Sequence, residues 1–434
     1  MLIEFKVSNF RSIRSEQVFT MLAESGKSKS DNTFTIALAD GTEERLLRSA
    51  VIYGANASGK SNFIRAFHAL SYFVSKSSSF KIDKSIECYE PFELDLVYQN
   101  APVEFEISFV NKDLVKYKYA LKYDRKMVLF EKLDFYPNGR QSNLFERNSS
   151  PDEYDEVELG KSLKEKRISR KVFKNQSFLS RFGSNEPHSQ LTPIYRYLAD
   201  MNVWNATNKL RLETLKKEIA EYLHEPGHEA FAKRLSKLIM IADTKIEQVS
   251  VKVATESDFD FPEFLPDNLK QKIVEDNRIK AFATHLLYNG AKEVGKKELP
   301  FEEESQGTNV LFALGGLILQ TLEKGGLIIV DELDNSLHPK LSKFLVRLFN
   351  SPITNTLNAQ LVFASHEVTL LDKDNLRKDQ IWFTAKDKYG ETELYSANDF
   401  EGVRDDTPFD KWYNSGKFGG DPKIKEVEFI FGND

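Results

Sequence analysis

The sequence predicts an α/β protein in which a mixed sheet and an antiparallel β meander are interrupted by a mostly helical insertion. Three observations predict it. Strand-like and helix-like patterning alternate at both ends of the chain, a glycine-containing loop joins a strand to a helix at 54–60, and two helical stripes run through 207–243.

The elements follow in order. Residues 2–10 set Leu2, Glu4 and Lys6 against Ile3, Phe5 and Val7, a strand pattern, and a second strand, Ser49 to Tyr53, leads into the loop. A helix is expected next, with Phe63, Ala66, Phe67 and Leu70 at helical spacing. Residues 90–137 read as four antiparallel strands, EPFELDLVY, VEFEISFV, YKYALKY and MVLFEKLDFY. Tyr117, Tyr119, Leu121 and Tyr123 share one face and Lys116, Lys118 and Lys122 the other, so one side of this sheet meets water.

Near residue 140 the texture becomes polar and turn-rich, followed by acidic residues at 152–156 and a basic run from Lys161 to Lys174. Leu212, Leu215, Ile219 and Tyr222 form one helical stripe; Phe231, Leu235, Leu238 and Ala242 form another, with a turn at Glu225-Pro226-Gly227. From about 300 the α/β pattern returns, with a helix at Val310–Leu322, a buried strand at Leu327–Val330, a helix after Pro339 and a buried strand at Gln360–Ala364. The expected organisation is 1–140 as one half of a core, 141–295 as the insertion, and 296–434 as the second half.

Composition narrows the class. With 41% hydrophobic and 29% charged residues, the 434-residue chain can build packed cores. A net charge of −6 does not announce a nucleic-acid partner, which would need a local basic surface. The single cysteine, Cys88, excludes an intrachain disulfide and a cysteine-based zinc cluster, and fits a cytoplasmic protein. No signal peptide or membrane-spanning stretch is expected.

Gly54-Ala55-Asn56-Ala57-Ser58-Gly59-Lys60-Ser61 fits the pattern GxxxxGK[ST]. Its glycines let backbone N–H groups wrap a phosphate chain, and the following helix points its positive end at the same phosphates. Lys60 is expected on the β and γ phosphates of ATP, the Ser61 hydroxyl on Mg²⁺, and Asn62 beside the nucleotide. The strand Leu327–Val330 delivers Asp331 and Glu332 at its carboxyl end, where open α/β sheets bind ligands. Asp331 is expected to hold Mg²⁺ through water and Glu332 to polarise the attacking water. His366, after the strand ending at Ala364, is placed to reach the γ-phosphate.

NFRSI at 9–13, GANASGKSN at 54–62, ESQGT at 304–308, VDELDNSLHP at 330–339 and ASHE at 364–367 resemble the bacterial AAA_15/AAA_21 group of ABC-type ATPases, relatives of the RecF, SMC and OLD-family heads. The C-terminal YNSGKFGGDPKI (413–424) is similar to the ending of RloA and AbiL-like phage-defence ATPases. The resemblance implies an ABC-type P-loop ATPase head that closes as a homodimer around ATP. Ser305 and Gly307 would bind the γ-phosphate held by the opposite copy, and Asp334–His338 would cross the interface. The sequence has the degenerate ESQGT in place of LSGGQ, and Glu90-Pro91-Phe92 stands where a glutamine loop is expected. No Glu…DxD arrangement follows His366, so an effector is expected as a separate protein. The alternative is a RecF-like DNA-repair ATPase that binds DNA through Lys161, Lys164, Lys166, Arg167, Arg170, Lys171 and Lys174.

Overall fold

The computed structural model describes residues 1–183, 186–205, 208–242, 245–256, 259, 261–262 and 264–419. Residues 420–424 of the C-terminal segment lie outside the described residues. The chain divides into two compact units. The first holds Met1–Trp204, Gly325–Glu332 and the described residues from Val346 onward; the second holds Asn205–Lys324 and Leu333–Leu345.

Two large sheets and a helix between them frame the first unit, beside two small two-stranded sheets. One sheet has seven strands in the order Glu158–Leu159, Ser142–Asn148, Val128–Tyr136, Lys116–Tyr123, Val103–Val110, Leu2–Ser8 and Gln17–Thr20. Its paired neighbours are antiparallel throughout. The predicted two-sided strand is there: Tyr117, Tyr119, Leu121 and Tyr123 are buried while the lysines between them lie at the surface side. The second sheet has the order Asn202–Asn205, Leu327–Asp331, Gln360–Ala364, Ser49–Tyr53, Ile381–Lys386 and Thr392–Ser396. The central strands pair in parallel, and the last two form an antiparallel hairpin.

The helix Lys60–Lys76 is apolar on more than one side because it serves both sheets. Phe67 stacks on Phe5 at 3.8 Å between ring centroids, and Phe63 meets Phe19 at 5.7 Å, joining the helix to the antiparallel sheet. The same helix packs on the strands Leu327–Asp331 and Gln360–Ala364. Those strands and Ser49–Tyr53 are buried at every position, which is why they read as unbroken apolar runs.

The second unit is dominated by the helices Lys209–His224, Glu229–Ala242, Asp267–Asp276 and Gln306–Lys324. Of the two predicted stripes, Leu212, Leu215, Ile219, Phe231, Leu235 and Leu238 are buried, while Tyr222 is half-buried and Ala242, at the end of its helix, is exposed. Gly315 and Gly316 let the helix Gln306–Lys324 approach closely, since a Cβ would stand 2.7 Å from Leu238 at the first and 2.8 Å from Ile219 at the second. The unit also contains an antiparallel sheet of Ile246–Val253, Ile279–Asn289 and Lys292–Pro300 that the sequence reading lacks. Its outer strand, KEVGKKELP, is exposed along most of its length, so no apolar alternation marks it.

Two local expectations are corrected. Residues 90–98 form no strand: the Asp95 side chain accepts from the N–H groups of Val97 and Tyr98, bending the chain into a turn that overrides the alternation. Ser142–Asn148, in the polar stretch, is a strand of the seven-stranded sheet. Its inward pattern is disguised because one buried position is Arg147.

Candidate functional site

The sheet order brings three loops together. The strand Gln360–Ala364 lies between Ser49–Tyr53 and Leu327–Asp331, and all three run in parallel. The phosphate-loop candidate, the Asp331-Glu332 pair and the Ser365-His366 turn therefore leave the same carboxyl edge in adjacent positions.

The loop at 54–59 has the shape its residues allow. Gly59 sits at φ 115° and Ala57 at φ 64°, and Lys60 begins the helix. Lys60 is buried, and its Nζ donates to the carbonyl oxygens of Gly54 at 2.5 Å and Ala55 at 3.1 Å. The ammonium is thus held inside the loop's concavity. Ser58 is also buried, with its Oγ against Thr384 Oγ1 at 2.6 Å, so its side chain faces the sheet and only its backbone is free to face a ligand in the loop. Asn56 and Ala57 lie at the accessible rim.

Ser61 Oγ donates to Asp331 Oδ1 at 3.1 Å, joining residues 270 positions apart. A hydroxyl and a carboxylate form a hard oxygen donor set, which suits Mg²⁺. Among the described residues no group of three or more His, Cys, Asp or Glu could hold a metal, so a cation here would complete its shell with phosphate and water, as Mg²⁺ does. Asp331 is 2% exposed, whereas Glu332 is half-buried and adopts φ 57°. A left-handed glutamate is uncommon, and such conformations gather at functional turns.

His366 is exposed at the same edge. Its turn is held by Tyr53, whose hydroxyl donates to the Glu367 carbonyl at 3.0 Å, and by Ser365 Oγ, which accepts from Glu367 N at 3.0 Å. The sequence motifs gave no chemical role to Arg11, yet it belongs to this neighbourhood. Its guanidinium grips Glu90 through two bonds of 2.8 and 2.7 Å and reaches Asn62 Oδ1 at 3.3 Å. Its presence in the NFRSI run was the available signal.

Ser305 and Gly307 belong to the second unit. Ser305 Oγ accepts from Thr308 N at 3.1 Å, capping the start of the helix Gln306–Lys324, and the serine is exposed. A Cβ on Gly307 would stand 2.7 Å from the Ser336 carbonyl oxygen, so the Asp334–His338 loop rests directly on this helix terminus. Ser336 adopts φ 62°. An exposed serine hydroxyl, a glycine and the positive end of a helix are groups of the kind that contact anions.

A family model described as "AAA domain, putative AbiEii toxin, Type IV TA system" matches residues 49–372, more than half of the chain. No curated protein matches the sequence. Among solved structures, the SMC head domain from Thermotoga maritima is 12% identical with a TM-score of 0.39, the match covering 91% of this chain and 98% of that one. An Smc head domain with an extended coiled coil bound to the C-terminal domain of ScpA, derived from Pyrococcus furiosus, is 14% identical with a TM-score of 0.41, covering 91% and 96%. The recombination mediator protein RecF with ATP is 14% identical with a TM-score of 0.36, covering 91% and 97%.

Proposed function

This chain belongs to the AAA_21 family of AAA-domain proteins, and from that membership we propose that it is a Mg²⁺-dependent ATPase whose heads close as a homodimer around ATP and regulate a separate effector in anti-phage defence. The observation that carries the ATPase reading is the Ser61–Asp331 hydrogen bond of 3.1 Å beside the buried Lys60. It joins the phosphate-loop helix to the acidic strand at the carboxyl edge of one sheet.

Each group then has a task. The loop's backbone N–H groups and the helix terminus receive the phosphate chain, and Lys60 turns from its own loop carbonyls to the β and γ phosphates. Ser61 and Asp331 would hold Mg²⁺, which would supply neutralisation of developing charge on the phosphate oxygens. Glu332 polarises the attacking water as general base, and His366 bonds the γ-phosphate. Ser305 and Gly307 come from the second copy and seal the site, with the opposite copy's Asp334–His338 loop beside them. A higher oligomer can be built on such a pair.

The family's description, "putative AbiEii toxin, Type IV TA system", supports a partner protein, and the place in defence rests on the resemblance of residues 413–424. In the described residues no helix is long and apolar enough to cross a membrane, and the proposal involves none. The test is phosphate release with Mg²⁺ and ATP. The wild type should turn over, Lys60→Ala should bind nucleotide poorly, and Glu332→Gln should bind but hydrolyse about a hundredfold or more slowly. Equal turnover in Glu332→Gln would remove the general base from this account.

One observation favours direct DNA binding as a second reading. Lys161, Lys164, Lys166, Arg167 and Arg170 are exposed, and none makes an ion pair with a described residue. Lys171 and Lys174 are different, being engaged by Tyr154 and Asp155. A DNA mobility shift that weakens with salt and is lost on Lys164/Lys166/Arg167/Arg170→Ala supports this reading; no shift at low salt eliminates it.

A further inference from the structure

The phosphate loop has a front, which faces the nucleotide, and a back, which faces the hairpin Ile381–Lys386/Thr392–Ser396. Thr384 stands opposite Leu394 and Thr392 opposite Lys386, so the two threonines are diagonal neighbours on one face of that hairpin. Both are buried. They press on the loop at its two glycines. A Cβ on Gly54 would lie 2.4 Å from Thr384 Oγ1, and a Cβ on Gly59 would lie 2.1 Å from Thr392 Oγ1. The glycines are therefore required from behind by the threonines as well as from in front by phosphate.

The contacts form one buried set. Thr384 Oγ1 lies 3.3 Å from the Tyr53 carbonyl oxygen and 2.6 Å from Ser58 Oγ. Thr392 Oγ1 lies 2.9 Å from the Ser58 carbonyl oxygen and 2.7 Å from Ser12 Oγ, which accepts from Asn62 Nδ2 at 2.7 Å. With each threonine donating to its carbonyl, Ser58 Oγ and Ser12 Oγ supply the hydroxyl–hydroxyl bonds and a relay runs Asn62, Ser12, Thr392, Ser58. The hairpin is further fixed by Thr392 N donating to the Ser12 carbonyl at 2.6 Å. A buried set in which every hydroxyl has two partners favours one loop geometry.

We infer that Thr384 and Thr392 are positioning residues of the phosphate loop, holding it through Ser58 in the shape that receives a nucleotide. They touch no phosphate themselves. The inference rests on the ATP-binding reading of Gly54–Ser61 and extends it by giving the distant C-terminal hairpin control over nucleotide affinity. The loop is ready before the nucleotide arrives, so the ordering cost on binding is small.

The test is the affinity of Thr384→Val and Thr392→Val for Mg²⁺·ATP and Mg²⁺·ADP, by titration calorimetry, alongside melting without nucleotide. Losing one buried hydrogen bond that shapes the site should weaken both nucleotides about three- to tenfold. Thr392→Ser, which keeps the hydroxyl, should restore the affinity. Where a valine variant does not fold, Ser12→Ala breaks the same relay outside the hairpin and should show the same loss. Wild-type affinity in the variants, or a lower melting temperature with unchanged affinity of the folded protein, overturns the inference. A wild type that binds neither nucleotide overturns the ATP-binding reading itself, and the inference falls with it.

Discussion

Asp331 and Glu332 are adjacent in sequence yet sit in different surroundings. Asp331 is nearly inaccessible and bonded to Ser61, while Glu332 is half-buried at φ 57°. That difference fits the roles proposed for them, Asp331 toward Mg²⁺ and Glu332 toward water. It predicts different losses on substitution. Asp331→Asn should raise the Mg²⁺ concentration needed for half-maximal turnover, whereas Glu332→Gln should leave that concentration unchanged and lower the maximal rate. Magnesium titrations of the two variants check this, and a shifted Mg²⁺ requirement in Glu332→Gln would reverse the roles. At this scale the sequence was informative where chemistry demands fixed spacing. GxxxxGKS carried Lys60 and Ser61, and a buried strand ending in two acids carried Asp331 and Glu332. Arg11 was not legible as a neighbour of Asn62, because their meeting depends on the turn that also places Glu90. The inward orientation of Ser58 was equally hidden, since its partner Thr384 lies 326 residues away.

Elements that are buried on both faces, such as Ser49–Tyr53 and Gln360–Ala364, announced themselves as apolar runs. Those stabilised by buried charge did not. Arg147 and Glu131 are completely buried, and Glu131 accepts from Tyr119, Ser177 and the backbone N–H groups of Phe178 and Leu179. Arg147 donates to Asp155 at 2.9 Å and to the carbonyls of Phe173, Lys174 and Gln176. The strand Ser142–Asn148 and the segment to 179 are thus pinned to the antiparallel sheet by polar bonds that hydrophobic patterning cannot reveal. Glu131→Ala should cost about 3–5 kcal/mol, because it leaves the Tyr119 and Ser177 hydroxyls and two buried backbone N–H groups without their acceptor, while Arg147 keeps Asp155 and its carbonyls. Thermal or denaturant unfolding measures it, and a loss below about 1 kcal/mol would deny the cluster its structural role.

The same buried charge cluster carries a pH dependence through Asp155. Burial tends to raise the Asp155 carboxyl, but Lys174, the Ser150 N–H and Arg147 outweigh it and hold the group below its ordinary range. A carboxylate depressed in the folded state contributes its full stability above the unfolded value of about 3.9, and loses it as pH falls through the folded value. Unfolding free energy of the wild type should therefore drop as pH falls below about 4, and Asp155→Asn should show a shallower acid slope. Parallel slopes in the two proteins would contradict this linkage.

At the scale of the whole molecule, the residues proposed to face the nucleotide, Lys60, Ser61, Asp331, Glu332 and His366, belong to one unit, and Ser305 and Gly307 belong to the other. The second unit combines helices that were legible as apolar stripes with a three-stranded sheet that was not, its outer strand being too exposed to show alternation. ATP is proposed to join two copies through these residue sets, and hydrolysis to release them. A nucleotide-gated pair is the state a separate effector would sense. Its most direct test is the native mass of the wild type and Glu332→Gln, with and without ATP and Mg²⁺. The mass should double with Mg²⁺·ATP, stay doubled longest in Glu332→Gln and not double in Ser305→Arg; a mass indifferent to nucleotide in both the wild type and Glu332→Gln would contradict the nucleotide-gated pair.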